Sequence, residues 1–194
     1  MNEPRGRPHA AFPATPAGEE DPEWIRTWTI AMDALARVSV AAAAATTEEE
    51  LQADSADALA GSFADWAFVD LDGSRPTRTV AACHPDLALA ALLADVPAHD
   101  CPLIASAMWR CAPVVTGLDD DESMLGRLPG GSPVVTALGA HSAAVAPVLN
   151  EGVARGAITI VRCADHPDAG FVELGVLSQI ADLTNAAVTR LGTR

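Results

Sequence analysis

Apolar positions recur along this chain with two different periods, and the places where the period changes mark its elements. From 23 to 45, Trp24, Trp28, Met32 (or Ala31), Leu35, Val38 and Ala42 fall three or four residues apart and share one helix face. Asp21-Pro22 supplies a cap and a first-turn proline for that helix. The chain restarts at Thr46-Thr47-Glu48-Glu49-Glu50, where Thr46 with Glu49, or Thr47 with Glu50, fits a capping box. A second helix follows to about Phe63, with Leu51, Ala58, Leu59 and Phe63 inward.

At 65 the period falls to two. WAFVDLDG (66–73) and TRTVAACH (77–84) read as strands of a hairpin around Gly73-Ser74-Arg75-Pro76. Helices are expected over 85–96 and 100–111, a strand over 113–118, a short helix with an acidic start over 118–128, and a helix over 132–140. Strands over 141–150 and 153–163 are joined at Asn150-Glu151-Gly152, where Gly152 is free to take positive φ. A long helix, 170–192, is apolar on two sides: Phe171, Leu174, Leu177, Ala181, Val188 and Leu191 on one, Val172, Val176, Ile180, Leu183 and Ala187 on the other. Packing on one sheet needs less than that, so one side should meet the sheet and the other a helix, from this chain or a second one. The order α-α-β-β-α-α-β-α-α-β-β-α predicts an α/β (α+β) domain with an antiparallel sheet, not a doubly wound parallel one.

Composition sharpens this reading. With 194 residues, 49% of them apolar, there is material for one real core. Alanine dominates, so the core is small side chains around a few anchors. There is no lysine, and the formal net charge is −14. Nucleic acid and anionic membrane are therefore not expected partners, since both need a clustered basic face. Residues 1–22 are proline-rich and aperiodic, and read as a disordered tail without a signal-peptide core. A cytoplasmic chain with reduced cysteines is the expectation.

Candidate chemistry is sparse. Cys83-His84 and His99-x-Cys101-Pro102 carry the residue types that hold haem iron or a soft metal, against the plainer reading of small buried thiols. The spacing is not a zinc pattern. Asp119, Asp120, Asp121 and Glu122 lack the alternation of a calcium loop and read as a solvated loop. Asp70 and Asp72 read as a polar strand end. No nucleophile motif, dinucleotide fingerprint or phosphate loop occurs, so no enzyme is expected.

The segment 138–188 resembles the second half of a GAF domain. The matching pieces are Leu138-Gly139-Ala140-His141-Ser142, Val145-Ala146-Pro147-Val148-Leu149, Gly152, Gly156-Ala157-Ile158-Thr159-Ile160, and Phe171 with Leu174, Leu177, Ile180 and Ala181. Upstream, Ala64 to Leu71 and Cys101 to Ala107 resemble the first strand and a helix start of GAF domains of actinobacterial type. The resemblance covers roughly residues 47–192. It divides the chain into a tail (1–22), an N-terminal helix for dimerisation (23–45) and a GAF-like domain (46–194).

The resemblance implies a five- or six-stranded antiparallel sheet, terminal helices packed together on one face, and a ligand pocket on the other under residues 83–140. Pocket residues on this reading are Cys83, His84, Met108, Trp109, Met124 and His141. It also implies a homodimer through the terminal helices, with Trp24, Trp28, Leu35, Leu177 and Val188 at the interface. The Asn-Lys-Phe-Asp-Glu signature of cyclic-nucleotide binders is absent from a chain without lysine, and the bilin-attaching Cys-His pair is replaced by Gly139-Ala140-His141. No output motif follows the last helix, so the expected role is a small-molecule sensor acting through a partner protein. A dimeric scaffold with an empty pocket and a haem-based redox or gas sensor are the alternatives.

Overall fold

A computed structural model describes residues 22–71, 77–83, 86–164 and 166–192. The expected tail, apart from Pro22, and His84 lie outside the described residues. Helices α1 (Pro22–Ala44) and α2 (Glu48–Leu59) lead into β1 (Trp66–Leu71) and β2 (Thr77–Ala82). Then come α3 (Leu87–Ala94), a single helical turn at Ala98–Asp100, α4 (Pro102–Arg110) and β3 (Val114–Gly117). The chain closes with α5 (Val134–Leu138), β4 (Ala140–Asn150), β5 (Val153–Cys163) and α6 (Phe171–Gly192).

Among the described residues, five strands form one sheet in the order β2-β1-β5-β4-β3, with every neighbouring pair antiparallel. The β4–β5 hairpin turns on Glu151 and Gly152, both at positive φ (51° and 79°), which matches the right-handed twist of the strands. Helices cover both faces, so the central strands are buried on both sides and read as near-continuous apolar runs.

Alternation sorts the two faces. Ala67, Val69, Ala144, Ala146, Ile158 and Ile160 meet α1, α2 and α6 in one core. Trp66, Phe68, Ala143, Val145, Ala157 and Val161 meet α3, α4 and α5 in the other. The second apolar side of α6 meets α1 of the same chain. These two helices run parallel: Arg190 near the end of α6 bonds to carbonyls at the end of α1, and the first turns of both helices border one small cavity of ≈ 260 Å³. Leu177 is fully buried in this core and cannot serve a dimer surface. Leu35 and Val188 are half-buried against the same core, whereas Trp24 and Trp28 stand 53% and 42% exposed.

Residues 118–128 are not helical, contrary to expectation. They form successive turns that bury Leu118 and Leu125 in the second core. Asp121 accepts from the Ser123 amide at 2.9 Å and its hydroxyl at 2.6 Å, so the acidic run ties a turn instead of starting a helix. The path then bends at Gly126 (φ 82°), where a Cβ would come within 3.1 Å of the Asp100 carbonyl oxygen and the Cys101 Sγ, and within 3.3 Å of Val96.

Candidate functional site

The hairpin β1–β2 places one charged residue of each strand on the side that faces α3 and α4. Asp70 follows Trp66 and Phe68 at two-residue spacing, and Arg78 stands directly across from it in register. Arg78 Nε donates to Asp70 Oδ1 at 2.8 Å and Nη2 to Oδ2 at 3.3 Å, a two-pronged contact between two buried side chains. The guanidinium also lies over the Phe68 ring, 5.1 Å from its centroid. Nη2 donates to the Cys101 sulfur at 3.5 Å, and the Cys101 thiol donates to the Leu125 carbonyl at 3.1 Å.

Burial pushes the Asp70 carboxyl above its ordinary value, with Arg78 pulling the other way. Burial also works against the charge on Arg78, but the facing Asp70 overrides it and keeps the guanidinium protonated. Burial raises the Cys101 thiol as well, so it stays protonated near neutral pH and is no thiolate nucleophile or ligand.

This pair forms one wall of a cavity of ≈ 570 Å³ between the sheet edge and the segment that joins α3 to α4. Leu71, Ala94, Val96, Pro97, Ala98 and Met108 make most of the remaining wall, and exposed Asp95 and His99 also border it. Gly156 completes it on β5. A Cβ there would collide with the Asp70 carbonyl oxygen, so glycine lets the two strands close. The Nη1 of Arg78 is buried and has no hydrogen-bond partner among the described residues. Leaving such an atom unpaired costs free energy, which the two-pronged contact with Asp70 has to offset.

The structure scatters the residues singled out from the sequence. Met108 lines the cavity. Met124 packs half-buried in the neighbouring core. Trp109 points away and is 89% exposed. Cys83 is half-buried outside the cavity lining, with a free thiol. Cys101 is engaged behind Arg78, not open to a haem. Among the described residues, no three His, Cys, Asp or Glu gather closely enough to hold a metal ion.

His141 is displaced from the pocket. It is the extra residue of a bulge between the pairs Ala140–Cys163 and Ser142–Arg162. Its ring instead fastens the β5–α6 connection: Nδ1 lies 2.7 Å from Asp168 Oδ1, and Nε2 lies 2.8 Å and 3.0 Å from the carbonyls of Cys163 and His166.

Arg78 was not singled out from the sequence. A signal existed: Asp70 and Arg78 are opposite charges on the two sides of the hairpin turn, each inside an otherwise apolar or small-residue strand.

No protein-family model matches the chain, and no curated protein is similar to it at a significant level. Solved structures do match. The A. aeolicus nlh2 GAF domain in an inactive state superposes with a TM-score of 0.63 at 16% identity, covering 85% of this chain and 99% of that one. The GAF domain of a phosphoenolpyruvate-protein phosphotransferase from Coxiella burnetii gives 0.60 at 14% identity, covering 86% and 96%. The free methionine-R-sulfoxide reductase of Neisseria meningitidis, in complex with its substrate, gives 0.62 at 16%, covering 86% and 92%. With an antiparallel sheet in the order β2-β1-β5-β4-β3, terminal helices on one face and a cavity beside the other, this chain has the GAF-domain fold.

Proposed function

We propose that this chain is a sensory module that takes a small organic molecule into the cavity beside Asp70 and Arg78 and passes its occupancy to a partner protein. The observation that carries this reading is a cavity of ligand size, ≈ 570 Å³, whose wall is mostly apolar around the buried Asp70–Arg78 pair. Structures of the same fold include a GAF domain in an inactive state and one from a phosphoenolpyruvate-protein phosphotransferase. A route for the signal lies in the strands themselves. Asp70 bears on the cavity, its neighbour Val69 bears on the helical layer that contains α1 and α6, and Leu71 reaches both. A ligand that shifts β1 therefore works on both faces at once.

Exposed Trp24 and Trp28, stacked on α1 with ring centroids 6.2 Å apart, give that layer a surface for a second copy or a partner. Native mass spectrometry of the purified protein tests the sensor reading. A retained organic molecule, lost when Met108→Trp fills the cavity, supports it. A protein that carries no such molecule, and that shows no thermal shift with any member of a broad metabolite set, removes it.

A further inference from the structure

We infer that the connection from β5 to α6 is held by a proton-operated clasp, in which His141 grips both Asp168 and the carbonyls of Cys163 and His166 only while its ring is doubly protonated. The inference needs no ligand in the cavity and is independent of the reading above.

The contacts of the ring fix its protons. Nε2 of His141 lies 2.8 Å from the Cys163 carbonyl oxygen and 3.0 Å from that of His166. Nδ1 lies 2.7 Å from Asp168 Oδ1. Carbonyl and carboxylate oxygens only accept, whereas a neutral imidazole has one N–H and one lone pair. A neutral ring therefore turns a lone pair toward oxygen on one side or the other. The imidazolium donates on both sides, and its bond to Asp168 is charge-assisted. Loss of one proton opens one half of the clasp. The Asp168 half yields more cheaply, because that side chain is 79% exposed and turns into water without desolvation.

Position gives the contact its leverage. His141 and Ser142 are adjacent in β4, and they hold adjacent residues of the connection. His141 holds Asp168, and the Ser142 hydroxyl accepts from the Ala169 amide at 3.0 Å. The Gly170 amide donates to Glu173 Oε2 at 3.0 Å, and α6 begins at Phe171. The clasp thus acts on the entry to the helix that packs against α1.

Other charged or titratable groups also surround the connection. His166 Nδ1 lies 2.8 Å from Asp65 Oδ1, and Asp65 Oδ2 accepts from the Cys163 amide at 2.7 Å. Arg162 faces Glu173 at 3.5 Å, and Glu23 and Arg26 of α1 border the small cavity beside His166. The Cys163 thiol donates to the Leu138 carbonyl at 3.2 Å. Histidine is the side chain that changes charge near neutral pH, so His166 is the group the experiment has to separate from His141.

Amide exchange at Ala169 reads the clasp on the full chain. Its protection, relative to an unstructured peptide at each pH, should fall about two- to fivefold from about pH 5.5 to about pH 8, the worth of a partly exposed ion pair. Ile160 in β5 should keep its protection. Imidazole nitrogen chemical shifts of His141 should pass from two protonated nitrogens to one over the same interval. Asp168→Asn supplies a side-chain amide that can donate to an unprotonated Nδ1, so a neutral ring satisfies both sides and protection at Ala169 should no longer depend on pH. His166→Gln should leave the fall in place.

Flat protection of Ala169 in the parent overturns the inference, and that measurement needs no variant to fold. A fall that persists in Asp168→Asn, or one that vanishes in His166→Gln, places the proton elsewhere and overturns it as well.

Discussion

Arg190 in α6 donates to the carbonyl oxygen of Ala42 in α1, 2.8 Å away, and to that of Ala45 at 3.0 Å. The last turn of α1 contains no basic residue of its own. A helix C-terminus leaves carbonyls unpaired and favours a cation; here the parallel neighbour supplies it. Replacing Arg190 by Met should cost about 1–2 kcal/mol, read as a lower urea midpoint. Amide exchange should quicken at residues 42–45 and stay slow in β4 and β5. Equal protection of α1 in both proteins would refute the coupling.

The buried ion pair should behave asymmetrically. Arg78→Met alone leaves a carboxylate without its partner and should cost about 3–5 kcal/mol. Asp70→Leu alone strands the guanidinium and should cost a similar amount. The double change Asp70→Leu with Arg78→Met should lie well above the sum of the two, nearer the parent than either single variant. Denaturant titration of the four proteins measures this. Strict additivity would show that the two groups do not depend on one another.

Acid should act on the start of α2. The Thr47 hydroxyl accepts from the Glu50 amide at 3.1 Å, while Glu50 Oε2 accepts from the Thr46 amide at 2.8 Å and hydroxyl at 2.7 Å. The Thr46 hydroxyl, then its amide, hold the Glu50 carboxyl below its ordinary value. A carboxylate lowered in the folded state stabilises it above the unfolded value and loses that contribution as pH falls through the folded one. The stability difference between the parent and Glu50→Gln should therefore be flat above about pH 5 and shrink as pH drops below the usual glutamate value of about 4.3. A difference that grows in acid would reverse the sign and refute the assignment.

Association should respond to α1 alone. Trp24, Ile25, Trp28 and Met32 are all exposed along it. Trp24→Ser with Trp28→Ser should shift the protein toward monomer in analytical ultracentrifugation. Leu177→Ser should instead destabilise the fold, because that side chain is in the core. An unchanged sedimentation coefficient for the tryptophan variant at equal concentration would remove the proposed interface.

The elements were legible because their periods are long and their punctuation is strong. Thr47 does cap α2, and Gly152 does take positive φ. Where the reading failed, a tertiary contact had overridden a local signal. The acids at 119–122 resemble a helix start, yet the packing of Gly126 under Cys101 sets a series of turns there. Strict alternation would turn His141 inward, yet one extra residue in β4 turns it toward Asp168. Arg78 was missed because its meaning lies in its register with Asp70 and its burial against Cys101; the opposite charges that flank the hairpin turn hint at the first and say nothing of the second.

The tight seating of Gly126 makes the helical wall of the cavity uneven along its length. Behind Val96 there is no room even for a Cβ at Gly126, so that stretch has little space to retreat. The same wall begins at the end of α3, which buries only Leu93, so few contacts resist its displacement. A guest is thus gauged against a firm stretch at Val96, while the wall at Ala94 yields to its outline, and size discrimination should be sharpest for groups that point toward Val96.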